Sequence, residues 1–211
     1  MQTTKSLILA LLKRSGGSTV DEVASAVGLA RMTVRQHLAT LERDNLVQAH
    51  EVRRPTGRPH YVYTLTDKGE ESFPRRYDHL AKMLIQEVGA LDAQEIRGLT
   101  AAEKQKLLLR RLADRMANQY IPQVDGKPLE ERVIAVTSIL QQEGGFAEWS
   151  RREGGYEIAD HNCAYRHVAE ANDQLCTWHL QFLSRLLEGE VKCAQYMSQG
   201  ADCCRFRVDA R

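Results

Sequence analysis

The first 44 residues carry three short apolar periodicities broken by glycine, and that spacing admits few folds. Leu7, Ile8, Leu11 and Leu12 recur on one helical face, and Gly16-Gly17 ends it. Ser18 then stands three residues before Asp21, the pattern of a helix N-cap with an acid in the first turn. Val20, Val23, Ala24 and Val27 stripe a second helix, and Gly28 occupies the position of its C-cap. A third helix is predicted from about Arg31 to Asp44, with Val34, Leu38 and Leu41 turned to the core. Two short helices, a glycine-containing turn and a polar-faced third helix make the helix-turn-helix pattern.

The third helix carries Arg31, Thr33, Arg35 and Gln36 largely away from its apolar face. Major-groove reading needs such groups: arginine pairs bidentately with guanine, and glutamine with adenine. Ala30 stands where a capping serine is expected, a loss of about 1 kcal/mol. Two β-rich runs follow, Val47–Val52 and Tyr61–Leu65, joined by a Pro/Gly turn that holds Arg53, Arg54 and Arg58. A cationic hairpin tip next to a helix-turn-helix suits the phosphate backbone or the minor groove, and the whole reads as a winged helix-turn-helix. The expected partner is a double-stranded DNA operator. Net charge is only +1, so the DNA-facing charge must be a local patch.

No apolar run is long enough to span a membrane, and the amino-terminal leucines have helical spacing rather than that of a signal peptide. The chain therefore reads as cytoplasmic. Five cysteines in such a chain argue for metal, cluster or redox chemistry rather than a disulfide framework.

From Phe73-Pro74 to about Gln142 the pattern is helical. Leu80, Met83, Leu84 and Val88 form one stripe, Gln105–Ala117 a second helix ended by Ile121-Pro122, and Leu129–Leu140 a third. The Arg110-Arg111 pair reads as a solvated helix face. Helix-turn-helix proteins bind two half-sites as two-fold dimers, so homodimer contacts are expected in this helical middle.

Gly144-Gly145 opens a different texture. Phe146–Arg151 and Tyr156–Asp160 flank Gly154-Gly155 as a hairpin, Tyr165–Ala171 and Asp173–Leu187 read as helices, and Glu190–Ser198 and Cys204–Val208 as strands. The order β-β-α-α-β-β is a small α+β domain. Twelve residues separate Cys163 from Cys176, and 27 separate Cys176 from Cys204. Cys176 falls in the first turn of a helix, where the helix N-terminus favours a thiolate. Three thiolates suit iron–sulfur ligation or a zinc site completed by His or Asp, and buried core cysteines are the alternative reading.

The stretch from Arg31 to Leu38 with Gly57-Arg58-Pro59…Tyr63-x-Leu65-Thr66 resembles winged-helix regulators of the ArsR/DeoR-like class. His161-Asn162-Cys163, Cys176 and Gly200-x-x-x-Cys204-Arg205-Phe206-x-Val208 resemble the carboxy-terminal signature of SufR-type iron–sulfur-cluster repressors. The two resemblances together cover nearly the whole chain. They imply a [4Fe–4S] cluster on Cys163, Cys176 and Cys204, a homodimer, and repression of cluster-assembly genes when the cluster is present. The chain departs from that pattern at Ala164, where members often have proline, and at His179, where an acid is expected; Cys193 and Cys203 are additional. A four-iron cluster leaves one corner open, with His179, His161, Cys203 and Asp202 as candidates. His179 leads because i, i+3 on a helix sets it beside Cys176. If the strand already runs at Cys203, that side chain should point to the sheet face opposite Cys204, and Cys193 reads as a packing residue.

The expected fold is mainly α with α+β parts. Residues 1–72 form the winged helix-turn-helix, 73–142 a helical dimerisation region, and 143–211 an α+β cluster-binding sensor. The expected function is a DNA-binding repressor that senses iron or redox status, and not an enzyme. Alternatives are a winged-helix regulator with a zinc site, another iron–sulfur cluster or a thiol switch drawn from Cys193, Cys203 and Cys204, and an enzyme using cysteine or cluster chemistry. Adjacent cysteines close a strained ring, so a Cys203–Cys204 disulfide is disfavoured.

Overall fold

The computed structural model describes residues 3–52 and 60–210. The chain divides into two compact units, Met1–Pro74 and Arg75–Arg211.

In the first unit, helices α1 (Thr4–Ser15), α2 (Val20–Val27) and α3 (Arg31–Arg43) pack around Ile8, Leu12, Val23, Val34, Leu38 and Leu41. A sheet of order β1-β3-β2 joins Ser18–Thr19, His60–Leu65 and Val47–Val52, all antiparallel. The N-cap of α2 is Thr19 and not Ser18. The Thr19 hydroxyl accepts from the Glu22 amide at 3.3 Å, and Glu22 accepts from the Thr19 amide at 2.7 Å, a full capping box. Ser18 is instead held by the β1 pairing with Tyr63. Ala30 caps α3 with no side-chain bond. A short helix, α4 (Asp67–Glu71), closes the unit, with Glu70 ion-paired to the buried Lys13 of α1. The wing strands are present; Arg53, Arg54 and Arg58 lie outside the described residues.

In the second unit, the helical segment and the sheet segment, expected as separate regions, share one core. Helices α5 (Tyr77–Gly89), α6 (Ala101–Val124) and α7 (Leu129–Gln142) are followed by β4 (Ala147–Arg152), β5 (Gly155–Asp160), α8 (Arg166–Ala171), α9 (Gln174–Leu187), β6 (Val191–Gln195) and β7 (Cys204–Asp209). The sheet order is β4-β5-β7-β6, antiparallel throughout. Trp178, Phe182, Leu183, Leu186 and Leu187 of α9 fill the core with Leu112, Met116, Ile139, Ile158 and Phe206. Gly155 is required by packing: a Cβ there would meet the Val208 carbonyl oxygen at 2.2 Å.

Three helix readings change. Pro122 does not break α6, because in the last turn proline forfeits only one ladder bond before the helix ends at Val124. Val88 is 58% exposed and Ile85 73%, so the α5 stripe buries Leu80 and Met83 and packs Leu84 partly buried against the core. Arg111 is not a free solvated charge: with Arg115 it holds the buried Glu87 carboxylate, and it also reaches Glu95 at 3.0 Å. Burial alone would raise the Glu87 pKa; the two guanidiniums outweigh it and hold the carboxyl below its ordinary range.

Candidate DNA-reading helix and thiol site

The buried residues of α3 fix the orientation of the rest. With Val34, Leu38 and Leu41 fully buried, Met32, Arg35, Gln36 and Arg43 are exposed along the opposite side. Arg35 and Gln36 are thus presented as expected. Thr33 is half-buried, and Arg31 is exposed but ion-paired to Asp21 at 2.8 Å. Met32 is the residue that residue-type reasoning passed over: 64% exposed on this face, it can meet a thymine methyl.

The second site is gathered by the sheet. Cys204, the first residue of β7, pairs in register with Asp160, the last residue of β5, and the loop leaving β5 carries Cys163. That loop is heavily pinned. Asp160 Oδ1 accepts from the amides of Phe146 at 2.7 Å and Asn162 at 3.1 Å. The Asn162 side chain donates to the Gly144 carbonyl at 2.6 Å and accepts from Arg75 at 2.7 Å, and Arg75 also reaches the Cys163 carbonyl at 3.3 Å. Gly145 leaves room for this turn, since a Cβ there would lie 2.7 Å from both Asp160 Oδ2 and the Leu140 carbonyl oxygen.

A short segment touches the other thiols. The expected strand 190–198 ends at Gln195 and turns into a 3-10 turn, Met197–Gln199. The Met197 amide donates to Cys204 Sγ at 3.4 Å, Cys176 Sγ lies 3.3 Å from the Ser198 hydroxyl, and Cys193 Sγ donates to the Gln195 carbonyl at 2.9 Å. Cys163, Cys176, Cys204 and His179 line one cavity of about 30 Å³ with Tyr165, Trp178, Tyr196 and Phe206. A neighbouring cavity of about 40 Å³ shares Cys163, His179 and Cys204.

The other fourth-ligand candidates lie elsewhere. His161 is buried with Nε2 3.4 Å from Glu148 and lines neither cavity. Cys203 is buried outside the shared core and accepts from Gln195 Nε2 at 3.3 Å, while Asp202 is exposed. Cys193 is not a mere packing residue, because its thiol donates to the Gln195 carbonyl at 2.9 Å on the strand beside Cys204. The signal for it was the shared face: Cys193 pairs with Phe206, two residues from Cys204.

All five cysteines are free thiols. Burial pushes the Cys163 thiol up to about 11 and raises Cys176 as well, outweighing the expected help of the helix N-terminus. Cys204 is raised furthest, by the Cys193 hydrogen bond and then by burial. Burial drives His179 down to about 4, so it is a neutral imidazole set between Phe182 and Phe206. The Trp178 Nε1 and Tyr165 hydroxyl are buried at the same cavities with no hydrogen-bond partner.

The donor chemistry, three soft thiols and a neutral imidazole, fits an iron–sulfur cluster. Zinc–sulfur bonds of about 2.3 Å put two thiolates on one zinc no more than about 4.6 Å apart. Among the described residues, no three His, Cys, Asp or Glu side chains are grouped to hold one metal ion.

Residues 1–48 match the winged helix-turn-helix DNA-binding family. The amino-terminal unit is a winged helix-turn-helix DNA-binding domain. No curated protein matches the chain. Among solved structures, Bacillus subtilis PadR in complex with operator DNA is similar at 17% identity and a TM-score of 0.28, over 65% of this chain and 90% of that one. No helix among the described residues is long and apolar enough to cross a membrane.

Proposed function

We propose that this protein is a homodimeric transcriptional repressor whose grip on DNA responds to an iron–sulfur cluster held by Cys163, Cys176 and Cys204. The observation that carries the reading is the convergence of these thiols, from a loop, a helix start and a strand start, on one cavity in a chain with a DNA-binding domain. His179, facing the same cavity as a neutral imidazole, is the proposed fourth ligand. When bound, a [4Fe–4S] cluster supplies an iron- and oxidant-sensitive cross-link. The chain's own part is positional: Asp160, Asn162 and Arg75 hold the Cys163 loop, and Ser198 and the Met197 amide hold Cys176 and Cys204. Metal uptake must displace the protons that burial keeps on these thiols.

The DNA-facing set is Arg35, Gln36 and Met32 for bases, with Arg31, Thr33 and the wing arginines Arg53, Arg54 and Arg58 for positioning. Two half-sites call for a two-fold dimer, and the exposed Ile85 and Val88 of α5 are the apolar surface proposed for it. The target genes proposed from the family resemblance are those of cluster assembly.

Anaerobic reconstitution with iron and sulfide, followed by a visible spectrum and iron and acid-labile sulfide assays, tests the cofactor. Broad brown absorbance that is lost in Cys163→Ser, Cys176→Ser and Cys204→Ser supports it. A colourless protein after reconstitution overturns it.

A further inference from the structure

Cys193 plays no part in the proposed ligand set, yet it is built into the same place. It sits in β6 directly opposite Phe206 of β7, and Cys204 is the next residue on that face of β7. A bulge between Cys193 and Gln195 shifts the ladder there by one residue, which kinks β6 beside Cys204. Both thiols are tied to one three-residue stretch, Cys193 to the Gln195 carbonyl at 2.9 Å and Cys204 to the Met197 amide at 3.4 Å. Cys203, next in sequence to Cys204, is held away from the pair by Gln195 and buried outside the shared core.

We infer that Cys193 and Cys204 are a redox pair that closes to a reversible cross-strand disulfide when the metal-free chain meets a peroxide. The thiolate of one residue attacks a peroxide oxygen; the O–O bond breaks, one oxygen leaves as water and the sulfur becomes a sulfenic acid. The second sulfur displaces that hydroxyl as a second water, and the S–S bond forms. Two thiols and one hydrogen peroxide give one disulfide and two waters. A dithiol returns the pair to two thiols by exchange and is itself oxidised to a disulfide. Because Cys204 also belongs to the proposed cluster site, the disulfide withholds it from metal until it is reduced. That consequence rests on the cluster reading, whereas the disulfide itself does not.

The test uses the full chain, reduced and freed of metal with a chelator, then treated with hydrogen peroxide and alkylated. Accessible thiols under denaturing conditions should fall from five to three. Trypsin leaves Cys193, Cys203 and Cys204 in one peptide between Lys192 and Arg205, so a second cleavage after Tyr196 is needed to separate Cys193 from the other two. The linked fragments should join Cys193 to Cys204, persist in Cys203→Ser, vanish in Cys193→Ser, and separate with dithiothreitol. Full alkylation of Cys193 after oxidation, or a link that uses Cys203, overturns the inference. Wild-type mapping needs no variant to fold, and the outcome is independent of whether the protein takes up a cluster.

Discussion

The two units build their sites in opposite ways. In α3, Arg35 and Gln36 are neighbours in sequence on one rigid helix, and burial of Val34 and Leu38 is enough to expose them. The thiols of the second unit come from a loop, a helix start and a strand start, and meet only because β5 pairs with β7 and the chain turns at Met197–Gln199. A surface reading site thus depends on one helix and its local core. The thiol site depends on sheet order, and damage at a distance should reach it.

Both tryptophans, Trp149 and Trp178, lie in the second unit, so their fluorescence follows that unit while DNA binding follows the first. The largest separation should come from Gly155→Ala. Its Cβ would drive into the Val208 carbonyl oxygen, so tryptophan-monitored stability should fall by more than about 3 kcal/mol while far-ultraviolet dichroism of an isolated 1–74 fragment gives the reference for the first unit. Unchanged tryptophan unfolding would mean the β5–β7 contact is not as close as described.

Glu87→Gln removes a buried carboxylate from Arg111 and Arg115. Those arginines are partly exposed, so screening holds the loss to about 1–3 kcal/mol at pH 7. The folded carboxyl lies below its ordinary value of 4.5. Its contribution is therefore fully present above that value and is lost as pH falls through the folded one. Denaturant titrations of wild type and variant should converge in acid; a difference that widens in acid would reverse the sign.

Arg35→Ala should cost about 1–3 kcal/mol on an operator selected from random DNA and relax preference at one base pair, with the tryptophan transition unchanged. Equal affinity and equal preference would misplace the reading helix. The smallest effect is Ala30→Ser, which adds the missing cap to α3 and should stabilise the first unit by about 0.5–1 kcal/mol in thermal unfolding.

The first unit was legible because its signals are local. The stripes of α2 and α3, and Ile8, Leu11 and Leu12 of α1, predicted the core, whereas Leu7 of the same stripe is exposed; the alternating run Val47–Val52 predicted β2. Choosing Ser18 as the cap missed by one residue: Thr19, although it too pairs with β3, makes the reciprocal capping box with Glu22. In the second unit the β-β-α-α-β-β order was legible; the opposite-face reading of Cys203 needed β7 to include it, and β7 begins only at Cys204. The role of Cys193 was not, since it depends on β6 lying beside β7 and on a bulge that no local pattern announces. Nor could spacing show that Asp160, Asn162 and Arg75 pin the Cys163 loop, because Arg75 is 88 residues from the carbonyl it holds.

The most direct test of the whole account compares DNA affinity of one wild-type preparation, anaerobically reconstituted with iron and sulfide and then stripped by a chelator, against Cys163→Ser treated identically. The account predicts that stripping weakens wild-type binding by about 5- to 150-fold, a coupling of about 1–3 kcal/mol, and leaves the variant at the stripped value throughout. Equal affinity of the two wild-type states, with the cluster verified by its spectrum, would contradict the link between the thiol site and the reading helix.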